Sequence, residues 1–171
     1  MEVKEMLKKE NRSSLKSIKN KAGWYKVWVT RNNLNQLLNG LGQNFEELKS
    51  YIETKEELYC IYVGKAKTNN GGLQGRLKNH FGSSAGGSTL KKSLSAILAG
   101  GEDDETRKKT VNEFMNNVSI EYGYADGLPI PLSVFEVTQI NDKLRILNID
   151  CNDLPVAEPI VKKLQELRKK K

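Results

Sequence analysis

The chain is poor in the residues from which metal centres and covalent cross-links are built. It contains one histidine, His80, and two cysteines, Cys60 and Cys151, too few for a disulfide framework or a closed thiolate zinc site. No aspartate precedes Asp103, so an acidic pair followed by E-x-K has no early aspartate to start from. The phosphate loop G-x-x-x-x-G-K-[ST], the pair H-E-x-x-H and C-x-x-C are also missing. No apolar run approaches the roughly 20 residues of a membrane span. The opening residues MEVKEMLKKE lack the apolar stretch of a signal peptide, so no membrane association and a reducing, cytoplasmic location are expected.

What is present is charge, unevenly spread. The 171 residues carry 28 Lys/Arg against 21 Asp/Glu, a net +7. Residues 1–21 hold seven basic and three acidic side chains, and residues 162–171 hold six and one. The middle is slightly acidic except from Leu58 to Gly101, where no Asp or Glu occurs and Lys65, Lys67, Arg76, Lys78, Lys91 and Lys92 supply six positive charges. A surface without carboxylates is what an approaching phosphate backbone requires, so these six are the candidate nucleic-acid contacts.

One domain fits this length. Residues 1–21 read as a basic arm or short helix. Gly23-Trp24-Tyr25-Lys26-Val27-Trp28-Val29 reads as a strand with Tyr25, Val27 and Val29 on one face. Two leucine-bearing stripes between 31 and 57 predict a pair of short helices inserted after it. Leu58–Gly64 reads as a central strand. Leu73, Leu77 and Phe81 begin a helix whose other side carries Arg76 and His80. The stretch Gly82–Gly87 reads as flexible, with Ser88 or Thr89 capping a further helix up to Gly100. A third strand at Val118–Tyr122, a helix over Leu132–Ile140, and a basic helix over Ile160–Lys171 complete the order. This mixture predicts an α+β domain with a small sheet flanked by helices.

Tyr25, Tyr62, Arg76, His80, Glu136 and Asn148 stand at the ends of these elements. Gly23-Trp24-Tyr25, Tyr62-Val63-Gly64, the Arg76/His80 helix, and Glu136 twelve residues before Asn148 together resemble the GIY-YIG nuclease family in its order. Trp24 and Val63 replace the central isoleucines of the two triplets, and residues 31–57 lengthen the gap between them. The resemblance covers roughly residues 22–149, leaving 150–171 as a C-terminal loop and basic helix packed on or beside the domain.

The resemblance implies a three-stranded antiparallel sheet and a divalent-metal phosphodiesterase. Glu136 would ligate the metal, Arg76 would contact the scissile phosphate, and Tyr25 and Tyr62 would lie beside the attacking water. His80 would assist proton transfer or orient a phenol, and Asn148 would support the site. Glu158, which also begins a helical segment, is the competing metal ligand. Mg²⁺ is the expected ion, with Mn²⁺ as substitute, because one carboxylate plus substrate phosphate and water suffices for a hard cation. DNA is the expected substrate, with RNA left open, and a homodimer would allow both strands to be cut. The alternative is a nucleic-acid-binding module on the same fold without catalysis.

Overall fold

The computed structural model describes residues 4–7, 9–82 and 88–169. Most of the stretch expected to be flexible, residues 83–87, lies outside them, as do residues 1–3, 8, 170 and 171 of the basic ends.

Strands β1 (Lys4–Leu7), β2 (Gly23–Val29), β3 (Thr54–Lys55), β4 (Leu58–Ala66) and β5 (Ser119–Tyr124) form one sheet in the order β1-β5-β2-β4-β3. Every neighbouring pair is antiparallel. The helices are α1 (Arg31–Gly40), α2 (Phe45–Leu48), α3 (Gly72–Phe81), α4 (Thr89–Leu98), α5 (Asp104–Asn116), α6 (Leu132–Asp142) and α7 (Glu158–Lys169). The α+β class holds, but the three-stranded sheet does not: the sheet has five strands and curls into a half-barrel.

Both extra strands come from segments with weak strand signals. The basic N-terminal segment, read as an arm or helix, contributes edge strand β1 and then a 3-10 stretch, Lys9–Ser17. Leu7 and Ile18 are buried, and the Gln74 side chain donates to the carbonyls of Leu15 and Lys16, fastening the segment to α3. β3 is the short arm of a hairpin with β4 whose two loop residues, Glu56 and Glu57, both have positive φ. A tight hairpin loop of the primed type needs that conformation and usually takes it from Asn-Gly. Two glutamates hide the turn from a composition-based reading.

The inner face of the sheet carries Tyr25, Val27 and Val29, as period two predicts. They meet the leucine stripes of α1, α3 and α4 together with Phe114 of α5 and Ile160 and Leu164 of α7. The last helix is therefore part of the main core. The outer face carries Trp24, Trp28, Cys60 and Val63, which α6 covers through Phe135 against Trp24 and Ile140 against the others.

Beside α6 the outer face also holds buried charge. Glu53, from the inserted segment, accepts both oxygens' worth of hydrogen bonding from the Lys26 ammonium at 2.8 and 3.0 Å. Its Oε2 lies 2.5 Å from a terminal nitrogen of Arg145, which is fully buried and also donates from Nε to the Gln139 carbonyl of α6. Burial works to raise the Glu53 pKa, but Lys26 and Arg145 outweigh it and hold the carboxyl below its ordinary value. Attraction between such groups roughly offsets their desolvation, whereas removing one partner strands the others. Glu53→Ala should therefore cost about 3–5 kcal/mol in urea unfolding. A loss under about 1 kcal/mol, typical of a surface pair, would mean that water screens the cluster.

Candidate active site

Tyr25 and Tyr62 share the inner face because of an irregularity in β4. Trp28 pairs with Cys60, whereas the next residue back, Val27, pairs with Tyr62, leaving Ile61 as an extra residue. That bulge lets Cys60 face outward with Trp28 while Tyr62 faces inward with Val27. Two registers further on, Tyr25 pairs with Gly64. A Cβ at Gly64 would lie 2.4 Å from the Tyr25 hydroxyl oxygen and 2.5 Å from its Cζ. The tyrosine ring thus lies on the glycine backbone, and no larger residue fits there. The two tyrosine rings are 6.1 Å apart, tilted by 34°.

Helix α3 delivers the next two groups. Its N-terminus is set by Gly71 at φ 76°, and the Leu73 amide donates to the Lys21 carbonyl at 2.8 Å. His80 was read as lying opposite Leu73 and Leu77, but it is buried on their side, as i, i+4 and i+7 spacing allows. Its Nε2 sits 2.6 Å from the Tyr25 hydroxyl and its Nδ1 2.7 Å from Ser88 Oγ. Arg76, on the flank of the same helix, donates from Nε to the Tyr25 oxygen at 3.3 Å.

Burial dominates the protonation of this cluster. It pushes the His80 pKa down to about 3, aided by the positive charges of Arg76 and Lys91, so the ring is neutral across the physiological range. It pushes Tyr25 well above 10, with Tyr62 adding to the effect and Arg76 opposing it. Tyr62 is raised by the same desolvation, against Arg76. Both phenols therefore keep their protons at neutral pH in this arrangement, and Arg76 alone does not make either one a base.

Glu136 reaches the site from α6. Its carboxylate makes an ion pair of 2.7 Å with Lys65 of β4 and contributes electrostatically at Tyr62. Lys65 was singled out as a phosphate contact; here its ammonium is held by the carboxylate expected to bind a metal. No cluster of three or more His, Cys, Asp or Glu exists among the described residues. A carboxylate oxygen already seated against a cation fits a hard divalent ion, which would take water and substrate oxygens for its remaining positions. Glu158, the competing candidate, is exposed at the start of α7 and paired with Lys162 at 2.7 Å on its own helix. It meets none of the other site residues.

Asn148 acts through the backbone. Its side-chain amide accepts from the Val63 N–H at 2.9 Å and donates to the Val63 carbonyl at 2.8 Å, standing in for a neighbouring strand on the free edge of β4. The adjacent Leu147 amide donates to the Ile61 carbonyl at the bulge. Loop and side chain together fix the backbone on both sides of Tyr62.

Of the other basic candidates, Lys67, Lys78 and Lys92 are exposed and Arg76 is partly so. Lys91 departs from the expectation of a surface contact: it is 1 % exposed, and its ammonium reaches the Gly82 carbonyl and Asn112 Oδ1. Leu90 and Leu94 draw that turn of α4 into the core and take Lys91 with it. Two residues around the site escaped the sequence reading. Arg145 carries no motif signal, whereas Ser88 had been noted only as a helix cap; its place eight residues beyond His80 was the available clue.

The depressed pKa of His80 has a thermodynamic consequence. The folded state binds its proton near pH 3 and the unfolded chain near 6.5, so the unfolded state takes up more protons between these values and stability falls as pH drops below 6.5. The slope should approach about 1.4 kcal/mol per pH unit below that point. Urea unfolding between pH 7 and 5 should show this slope in the wild type and lose it in His80→Gln, whatever the variant's baseline. An unchanged slope would place the titration elsewhere.

A sequence model described as the GIY-YIG catalytic domain matches residues 23–170, which extends past Asn148 to include the whole of α7. Comparisons with curated proteins and with solved structures give no match. The match runs from the first residue of β2 through every group that gathers around Tyr25, and on these grounds the chain belongs to the GIY-YIG catalytic-domain family of nucleases.

Proposed function

We propose that the protein is a metal-dependent DNA endonuclease that hydrolyses phosphodiester bonds at the inner-face cluster. The observation that carries this reading is the convergence of Tyr25, Tyr62, Arg76 and His80, with Glu136 of the Lys65 ion pair near enough to act on Tyr62; Tyr62, Lys65, Arg76 and His80 come from the segment 58–101, which contains no acidic residue.

The chemistry divides among the groups as follows. Arg76 spends its Nε on Tyr25 and also hydrogen-bonds Tyr62; its remaining N–H groups would grip nonbridging phosphate oxygens in a way an ammonium cannot copy. The neutral hydroxyl of Tyr62, the more exposed of the pair, would orient the attacking water, and the fully buried Tyr25 would support it from behind. Glu136 would hold the divalent ion, Mg²⁺ or Mn²⁺, whose charge would favour hydroxide over water and offset negative charge on the leaving oxygen. Asn148 keeps Tyr62 and Gly64 in register.

The exposed Lys67, Lys78 and Lys92 supply phosphate contacts that position DNA without reading sequence. Lys16 and Lys19 extend this surface, since the N-terminal segment is tied to α3. A double-strand cut would need a homodimer or two successive nicks. A reducing, cytoplasmic compartment suits a chain whose two cysteines are both free.

Supercoiled plasmid should be nicked or linearised with Mg²⁺ or Mn²⁺ and left intact in chelator. Glu136→Gln should bind DNA as before and lose roughly 100-fold or more in single-turnover rate. Binding without cleavage by the wild type under both metals would favour a non-catalytic binding module, and preference for an RNA duplex would replace the substrate. A further pair of measurements isolates Arg76. Arg76→Lys should lower the cleavage rate of bound substrate by roughly 100-fold while affinity changes little. Equal, small losses in both would make Arg76 a peripheral contact.

A further inference from the structure

Ser88 has no place in the roles assigned above, yet its hydroxyl is the only hydrogen-bonding neighbour of His80 Nδ1 among the described residues. It is buried, with 1 % of its surface exposed. A serine hydroxyl has one proton to give. Ser88 Oγ already accepts the Lys91 amide at 3.2 Å as the N-cap of α4. The partner left for its proton is His80 Nδ1, at 2.7 Å. If the imidazole instead donated from Nδ1, the serine proton would face no acceptor among the described residues. A buried unpaired donor costs about 1–3 kcal/mol.

This accounting fixes the direction of the whole chain. A neutral imidazole that accepts at Nδ1 carries its proton on Nε2, and Nε2 faces the Tyr25 oxygen at 2.6 Å. The Tyr25 oxygen then receives two N–H donors, His80 Nε2 and Arg76 Nε. Both of its inward lone pairs are occupied, and its own proton is directed away from the imidazole, to the side where Tyr62 lies. In the opposite tautomer the Tyr25 proton would turn inward to Nε2, and Tyr62 would lose a donor.

We infer that Ser88 is a positioning residue: by donating to His80 Nδ1 it holds the histidine as the Nε2–H tautomer and so aims the Tyr25 hydroxyl proton at Tyr62. Its effect on cleavage rests on the proposed nuclease function, whereas the tautomer itself does not. One side chain thus caps α4 and sets the polarity of a hydrogen-bond chain that begins at that cap.

The test uses the full-length protein with ¹⁵N-labelled histidine. Because His80 is the sole histidine in the chain, long-range ¹H–¹⁵N correlation reports on this ring alone. Nε2 couples to both ring carbon-bound protons and Nδ1 mainly to one, which identifies the protonated nitrogen. The wild type should show the proton on Nε2. Ser88→Ala should shift the spectrum toward a mixture of tautomers and lower the single-turnover rate roughly tenfold at unchanged DNA affinity, and Ser88→Thr, which keeps hydroxyl and cap, should restore both.

Because alanine also removes the cap, Ser88→Gly serves as the second variant: glycine at an N-cap costs only a few tenths of a kcal/mol and should reproduce the tautomer shift. A wild-type ring protonated on Nδ1 would overturn the inference. So would an imidazole spectrum that is the same in Ser88→Ala, Ser88→Gly and wild type, since a purely structural cap changes stability without moving the proton. A tautomer shift in a protein that cleaves no nucleic acid would uphold the role of Ser88 and reject the nuclease reading.

Discussion

A tyrosine ring lying on a glycine is the constraint from which the rest of the site follows. Tyr25 is completely buried, and the only way to seat its ring against β4 is to have no side chain at Gly64. Once the hydroxyl is sealed inside, it must find partners in the protein, because an unsatisfied buried donor or acceptor costs more than a made hydrogen bond returns. Arg76 and His80 answer that need, and both come from α3. The register of β2 against β4, the placement of α3 and the burial of a histidine are thus three consequences of one packing requirement. Gly23 follows similar logic at the other edge of β2, where a Cβ would strike the Gly123 carbonyl at 2.4 Å.

The second tyrosine depends on a different device. Without the extra residue at Ile61, strict alternation would send Tyr62 outward with Cys60. A bulge strains the local ladder, and here the free edge of β4 is repaired by the 143–149 loop, through Leu147 at Ile61 and the Asn148 amide at Val63. The same loop is anchored by Arg145, whose guanidinium meets Glu53 of the inserted segment and whose Nε meets α6 just beyond Glu136. The insertion therefore does more than lengthen the chain between the two triplets. It supplies the carboxylate that lets Arg145 be buried where loop, helix and sheet meet.

How much of this was legible in the sequence varied with how local the cause was. Aromatic and β-branched runs with period two disclosed β2 and β4, and the leucine stripes disclosed α1 and α3, because burial of a face leaves a periodic trace. β1 and β3 left almost none. One is four residues in a lysine-rich context, and the other exists because a pair of glutamates adopts positive φ under tertiary constraint. The tyrosines, Arg76, His80, Glu136 and Asn148 could be listed from a motif order. The burial of His80 was open to its i, i+4, i+7 spacing with Leu73 and Leu77; what no spacing could reveal was which groups meet its two nitrogens, or that Lys91 is drawn inside with its helix, since each depends on contacts between separate elements.

The charge distribution resolves an apparent conflict in the site. A nuclease that works through a metal, as proposed above, needs negative ligands for the cation and positive groups for phosphate, and the two requirements compete at close range. Here the segment from 58 to 101 carries no carboxylate, and the one that meets Lys65 arrives from α6, on a separate element. Lys65 neutralises it in the free protein, which limits the repulsion an approaching phosphate would feel. A divalent ion arriving with substrate would contend with one ammonium on a flexible stem, a partly exposed ion pair of the kind whose net worth in water is small. The same pair that makes the free site tolerant of polyanions therefore opposes cation entry only weakly. A second fixed carboxylate would bind the ion more strongly but would return the repulsion that the acid-free surface avoids.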